Sequence, residues 1–332
     1  MVSKKILVTG GLGYIGSHTV VELLQKGYDV VIYDNLSNAK ETVAERIFEI
    51  TGKRPLFVKG DLLDKELLEK TVAENKFCAV FHFAGLKAVG ESVCNPLLYF
   101  ENNVVGTINL LQAINGKVEN FVFSSSATVY GNTSSFCTET MPMSAVNPYG
   151  QTKIIIENML KDFSAANKDF NAIILRYFNP VGAHKSGLIG EDPNGTPNNL
   201  AAFTTQVLVG KQKSLQVFGN DYETTDGTGV RDYIHVLDLA SGHIVALEKC
   251  KKAGFHVFNL GTGKGTSVLQ LLAAFEKTAG KRIPYQITKR RPGDVATLVA
   301  CSDKAKAELG WNTKYNIDDM CRDAYNFARR QQ

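Results

Sequence analysis

The chain has 332 residues, 44% of them hydrophobic and 21% charged. That length and balance exclude disordered, collagen-like and disulfide-stapled classes and leave room for one large or two modest packed domains. With 37 basic and 33 acidic side chains, the formal charge is only +4, too mild and too dispersed for a nucleic-acid arm or an acidic tail.

The first 180 residues alternate β-rich runs with helical patterns. The spacing predicts strands at Lys5–Thr9, Asp29–Tyr33, Pro55–Val58, Ala79–Phe83, Asn120–Ser124 and Ala172–Arg176. These runs are continuously apolar rather than alternating, as in strands buried on both faces of a parallel sheet. Between them, His18–Lys26 reads as a helix closed by Gly27. Asn95-Pro96 reads as an N-cap and first helical residue, with Leu97, Phe100, Val104, Ile108 and Leu111 on one stripe. Another helical pattern follows Pro148. The alternation predicts an α/β fold, a doubly wound parallel sheet of the Rossmann type with right-handed crossovers.

After residue 180 the texture changes. Gly182 to Gly229 is rich in Gly, Asn, Asp and Pro, the composition of loops that line a site. Helices are expected at Val236–Lys249, Ser267–Ala279 and Ile317–Arg330, and a strand at Phe255–Asn259. The expected division is a dinucleotide-binding domain over 1–180 and a smaller mixed α/β substrate domain over 181–332, with parts of 231–262 returning to the first sheet.

Six cysteines (Cys78, Cys94, Cys137, Cys250, Cys301, Cys321) form no C-x-x-C pair and no metal spacing. They point to a reducing compartment and no metal site. The charged start Met1–Lys5 is followed by only three apolar residues before glycines begin. The sequence contains no 18-residue apolar run. Neither an export signal nor a membrane span is expected, and the reading is a cytoplasmic protein.

Gly10-Gly11-Leu12-Gly13-Tyr14-Ile15-Gly16 follows a strand and opens a helix. Glycines permit a tight turn and close approach to a pyrophosphate, and the helix N-terminus offers free N–H groups to it. Asp34 ends the second strand 18 residues after Gly16. A carboxylate there suits an adenosine ribose and repels a 2′-phosphate, which favours NAD over NADP. A purely structural glycine turn, with Asp34 as an N-cap, is the alternative.

Tyr149 and Lys153 are four apart at the start of a helical pattern, so they share a face. An ammonium beside the phenol should lower its pKa and fit it as a general base. The spacing alone is cheap: Tyr285 and Lys289 repeat it in a strand-like stretch. What singles out Tyr149 is Ser124-Ser125-Ser126 at the end of a buried strand, at the sheet edge where open α/β folds place ligands. Ordinary strand-end capping would account for the serines taken alone.

Taken together, these residues resemble the extended short-chain dehydrogenase/reductases, and within them the UDP-glucose 4-epimerase family. The resemblance covers nearly the whole chain. It includes Val8 to His18, Asp34-Asn35-Leu36, Gly60-Asp61-Leu62, Phe81 to Ser92, Ser124 to Gly131, Asn147-Pro148-Tyr149, Leu175 to Pro180 and Gly227 to His235. It implies that Tyr149 removes the proton from the sugar 4-hydroxyl while hydride passes from C4 to tightly bound NAD. The 4-keto sugar then turns and takes the hydride back on its other face. Lys153 would hold the nicotinamide ribose, and Ser126 would bond the 4-oxygen. NAD would be held by Gly10, Gly13, Tyr14, Ile15, Gly16, Asp34, Asn35, Asp61, Leu62, Phe83, Ala84, Gly85, Lys87, Asn102, Ser124, Tyr149, Lys153 and Tyr177. The UDP-sugar would meet Lys87, Ser126, Tyr149, Asn179, Asn199, Leu200, Phe218, Arg231, Arg291, Asp294 and Leu298. Arg231 and Arg291 would grip the diphosphate, which raises Arg291 above the solvated-surface reading that Arg290 keeps.

Related 4,6-dehydratases place Asp-Glu after the strand-end hydroxyl, and UDP-glucuronate decarboxylases usually place Glu at the second of those positions. Here the two residues are Ala127 and Thr128, which provide neither acid nor base. Leu298 stands where the family carries a large Tyr or a small Cys or Ser, so partial tolerance of N-acetylated UDP-hexoses is expected. A homodimer through the helices at Asn95–Ile114 and Tyr149–Phe163 is also implied. A dehydrogenase that releases NADH and a non-catalytic NAD(H) sensor are the competing classes. The first lacks a second-substrate motif, and sensors commonly lose the Tyr or Lys.

Overall fold

The computed structural model describes residues 4–133, 136–195, 197–291 and 294–332. The first three residues of the charged start therefore lie outside the described residues. Seven strands, β1 (Lys5–Thr9), β2 (Asp29–Asp34), β3 (Leu56–Lys59), β4 (Phe77–His82), β5 (Asn120–Ser126), β6 (Asn171–Tyr177) and β7 (Gly254–Leu260), form one sheet. Its order is β7-β6-β5-β4-β1-β2-β3, and every pairing is parallel. Each predicted run is a strand, with its ends shifted by a residue or two.

Both faces of the sheet are covered, which is why its strands read as unbroken apolar runs. Alternate residues divide between two cores: Ile6, Val8 and Ile32 pack on one face, and Leu7, Val31 and Tyr33 on the other. The strand order reverses between β1 and β4, which opens a crevice at their C-terminal ends. The helix after β1 spans Tyr14–Gln25, four residues earlier than its apolar pattern begins. Gly16 inside it has poor helix propensity, and packing outweighs that. Helices Thr42–Thr51 and Lys65–Ala73 were not legible as periodic stripes. The second is announced by Asp64, whose Oδ1 accepts from the Leu67 N–H at 3.1 Å.

The helix expected after Asn95 is interrupted. Pro96–Tyr99 is α-helical, Phe100–Val105 is a π-helical turn, and Gly106–Ile114 is α-helical again. Asn95 occupies the N-cap position, yet its side chain makes no capping hydrogen bond. The π-turn carries Asn103, whose side chain donates to Leu86 O (3.0 Å) and Thr152 Oγ1 (3.1 Å) and accepts from Leu86 N (2.8 Å). A widened turn of this kind often marks a functional site.

The helix Val236–Lys249 packs against Tyr14–Gln25, and the chain then enters the large sheet as β7. A second sheet is built from Gly265–Ser267, Val230–His235, Thr297–Ala300 and Phe136–Cys137, in that order, with Asn179–Val181 added beside Val230–His235. Leu215–Phe218 and Tyr285–Thr288 form a two-stranded sheet. Tyr285 and Lys289 thus have no common helix face. The stretch rich in Gly and Asn hides one helix, Leu200–Leu208. A separate core gathers Val181, Val217, Tyr233, Leu271, Phe275 and Met320. No described helix is long and apolar enough to cross a membrane.

Candidate active site

A cleft of about 620 Å³ runs along the C-terminal edge of the large sheet. Gly10, Gly13, Tyr14, Ile15, Gly16, Asp34, Asn35, Asp61, Leu62, Phe83, Ala84, Gly85, Lys87, Asn102, Ser124, Ser126, Tyr149, Lys153, Tyr177 and Asn199 all line it. The fold thus brings every residue expected to meet the cofactor to one cavity.

The glycine loop explains its own sequence. Gly10 has φ +68°, and a Cβ there would stand 2.7 Å from Ala84 N. A Cβ at Gly16 would collide with the Gly10 carbonyl oxygen. The N–H groups of Tyr14, Ile15 and Gly16 open the helix and have no intrahelical partner. Gly13 at the cap provides no side chain to cover them. Such a cradle fits a pyrophosphate. At the other end, Asp34 accepts from Leu12 N (3.1 Å) and Leu36 N (2.9 Å). Burial raises its pKa, and these two amides oppose the rise. Asn35 Nδ2 donates to Asp61 Oδ2 at 2.8 Å. A ribose hydroxyl suits these two carboxylates, whereas a 2′-phosphate would be repelled by both. The residues present therefore fit NAD.

Tyr149 and Lys153 sit in the first two turns of the helix Pro148–Ala166, whose N-cap Asn147 accepts from Gly150 N at 2.9 Å. Lys153 Nζ donates to Ser124 O at 2.7 Å and lies 5.8 Å from the Tyr149 ring centroid. Burial lowers Lys153 to about 8, with Glu157 opposing. The expected lowering of the Tyr149 phenol is not what this geometry produces. Burial raises it, and the hydrogen bond with Ser126 and the Lys87 ammonium only partly offset that. Burial also opposes the charge on Lys87, but Glu191 at 2.9 Å holds its pKa above the ordinary value. Tyr177, on β6, is buried, and its hydroxyl meets His243 Nε2. Burial raises that phenol well above its usual range.

The residues expected to meet the nucleotide half divide. Asn199 caps the helix Leu200–Leu208 and donates from Nδ2 to Pro180 O (3.0 Å) and Glu191 Oε2 (2.9 Å). Asn179 opens the strand beside Val230–His235, and Leu200 packs on the C-terminal core. Phe218, Arg231, Arg291 and Asp294 lie off the cleft lining in a second group. The Arg291 guanidinium stacks 4.3 Å from the Phe218 ring centroid, and Arg231 Nη2 is 3.5 Å from Asp294 Oδ1. Leu298 pairs with Arg231 in register and packs against the apolar cluster that contains Phe178, a residue of the cleft lining, so it joins the two groups. Arg290 pairs with Asp221 at the surface at 2.8 Å.

Glu191, which lines the cleft, and Glu157, buried on the helix that carries Tyr149, escaped the sequence reading. Glu191 lies in an aperiodic loop that carries no signal. Glu157 continues the face of Tyr149 and Lys153 by one turn, so following that face further would have found it.

A parallel sheet with a glycine-lined crevice, a strand-end serine and a helical Tyr-x-x-x-Lys defines the short-chain dehydrogenase/reductase class. The family model described as GDP-mannose 4,6 dehydratase matches residues 7–324. The chain is 56% identical to a UDP-glucose 4-epimerase of Cyamopsis tetragonoloba, over 99% of this chain and 96% of that one. It is also 56% identical to the UDP-glucose 4-epimerase of Bacillus subtilis, over 97% and 96%. The crystal structure of UDP-glucose 4-epimerase from Bifidobacterium longum in complex with NAD+ and UDP superposes with a TM-score of 0.96 at 49% identity, covering 98% of each chain. The chain belongs to the extended short-chain dehydrogenases/reductases, among the UDP-glucose 4-epimerases.

Proposed function

We propose that this protein interconverts UDP-galactose and UDP-glucose with NAD that stays bound through turnover. The observation that carries the reading is the meeting of Tyr149, Ser126 and Lys153 with the glycine cradle in one cleft. The cofactor, when bound, supplies a hydride acceptor and donor at the sugar C4. Tyr149 takes the proton from the 4-hydroxyl and returns it, with Ser126 bonded to the 4-oxygen. Raising the phenol by burial leaves it needing positive charge nearby to ionise, which Lys87 provides. Lys153 is fixed by Ser124 O and holds the nicotinamide ribose. Gly10, Gly13 and Gly16 let the backbone cradle the pyrophosphate, and Asp34 takes the adenosine ribose.

Arg231 and Arg291 hold the diphosphate, since planar guanidinium groups match phosphate oxygens in pairs. Phe218 packs near the base and Asp294 bonds the uridine ribose. Ala127 and Thr128 leave the site without the acid and base a dehydration needs. Leu298 sets partial tolerance of the N-acetylated pair. The scattered cysteines, with no C-x-x-C pair, support a reducing, cytoplasmic setting.

The protein acts as a homodimer. Val93, Leu97, Leu98, Val105 and Ile108 stand exposed on adjoining helices, Leu97 at 80%. An apolar patch of this kind marks an interaction surface.

Tyr149→Phe is the test of mechanism. It should retain NAD and lose about 10²–10⁴-fold in kcat. Unchanged turnover would remove Tyr149 from the reaction.

A further inference from the structure

Glu157 lies one helical turn beyond Lys153 and two beyond Tyr149. Its carboxylate is 1% exposed, and no step above uses it. Oε1 accepts from Ser125 Oγ at 2.5 Å and from Arg176 Nε at 3.0 Å, and Oε2 accepts from Arg176 Nη2 at 2.7 Å. Arg176 also donates to Tyr130 Oη at 3.0 Å and Glu139 O at 3.2 Å. Tyr130 in turn donates to Asn259 Oδ1 at 2.6 Å.

The place of Ser125 matters. It sits between Ser124, whose carbonyl accepts from Lys153, and Ser126, whose side chain bonds Tyr149. Successive residues on a strand point to opposite faces. The strand end that presents Ser124 and Ser126 is therefore gripped through Ser125 by the helix that presents Tyr149 and Lys153. A buried ion pair is a weak source of stability, because the desolvation of both charges offsets their attraction. Positioning gives this one a reason to be there.

We propose that Glu157 is a positioning residue: through Ser125 and Arg176 it fixes the helix bearing Tyr149 and Lys153 against the strand end bearing Ser124 and Ser126. The proposal rests on the epimerase reading above and deepens it. Its charge contributes as well. The titratable groups around Glu157 and Lys153 are Arg176, with Tyr130 and Glu139 behind it, Tyr149 on the same helix and His82 on β4. His82 is held neutral by burial, its pKa lowered to about 3. Glu157 is the charge that opposes the fall of Lys153. Replacing it with an amide removes the charge that opposes this fall and leaves the Arg176 cation unbalanced, which favours deprotonation of Lys153.

The test uses the purified holoenzyme, assayed first as wild type on UDP-galactose. Ser125→Ala keeps the ion pair and removes only the hydroxyl donor. It should lower kcat by roughly tenfold, about one hydrogen bond's worth of misplacement, with KM changed less than about twofold. Glu157→Gln should lower kcat and move the kcat–pH profile to lower pH by about one unit. Folded Ser125→Ala with wild-type kcat would overturn the proposal, as would folded Glu157→Gln with a wild-type profile. If Glu157→Gln fails to fold, Ser125→Ala decides alone. Wild-type protein inactive on UDP-galactose would overturn the epimerase reading, and this proposal with it.

Discussion

Residue 10 shows how tightly backbone geometry binds sequence to chemistry. Its φ of +68° and the 2.7 Å approach to Ala84 N forbid a Cβ without backbone movement. Gly10→Ala should open the cradle and reduce resident NAD in the purified protein by at least about tenfold, about 1.4 kcal/mol of binding. Enzymatic assay of nucleotide released on denaturation reads this directly, and wild-type content would count against the cradle. Leu298 makes a second prediction. Leu298→Tyr enlarges a side chain packed against the cluster that contains Phe178 and should lower the ratio of N-acetyl to plain activity by about 10–200-fold, the range for steric discrimination in a pocket. An unchanged ratio would remove Leu298 from substrate selection. Much of the site was legible at this scale, because the glycines, Asp34, Tyr149 and Lys153 are each required by geometry or charge. Glu191 was not, since an ion pair between Lys87 and a distant loop leaves no mark on local spacing.

Among the elements, buried strands were the most legible, since burial on both faces writes an unbroken apolar run into the sequence. The short strands of the second sheet were not. Asn179–Val181 and Thr297–Ala300 owe their pairing to partners distant in the chain, and their residues show no period of their own. The π-turn at Phe100–Val105 was also hidden, because the tertiary partners of Asn103 set it rather than local propensity. The exposed stripe on the neighbouring helices leads to a test of assembly. Leu97→Asp puts a charge on the most exposed of these apolar residues, and on the proposed homodimer sedimentation should show wild type as dimer and the variant shifted towards monomer. A dimer of unchanged stability would place the interface elsewhere.

The molecule as a whole should respond to acid through its buried histidines. Burial lowers His18 and His82 to about 3 and His243 to about 4. The unfolded chain therefore binds more protons than the folded one below about pH 6.5. Stability from these groups is fully present above that pH and is lost as pH falls through the folded values. Thermal unfolding should shift steadily to lower temperature from about pH 6.5 downward. A flat profile down to pH 4 would show that these rings are not held neutral.

An epimerase of this kind keeps its cofactor through every turnover. The most direct test is to incubate the purified protein with UDP-galactose, add no cofactor, and quantify UDP-glucose while following free NADH. UDP-glucose should form with no NADH released. No product, even with NAD and the N-acetylated substrates supplied, would contradict it and favour a dehydrogenase or a sensor built on the same fold.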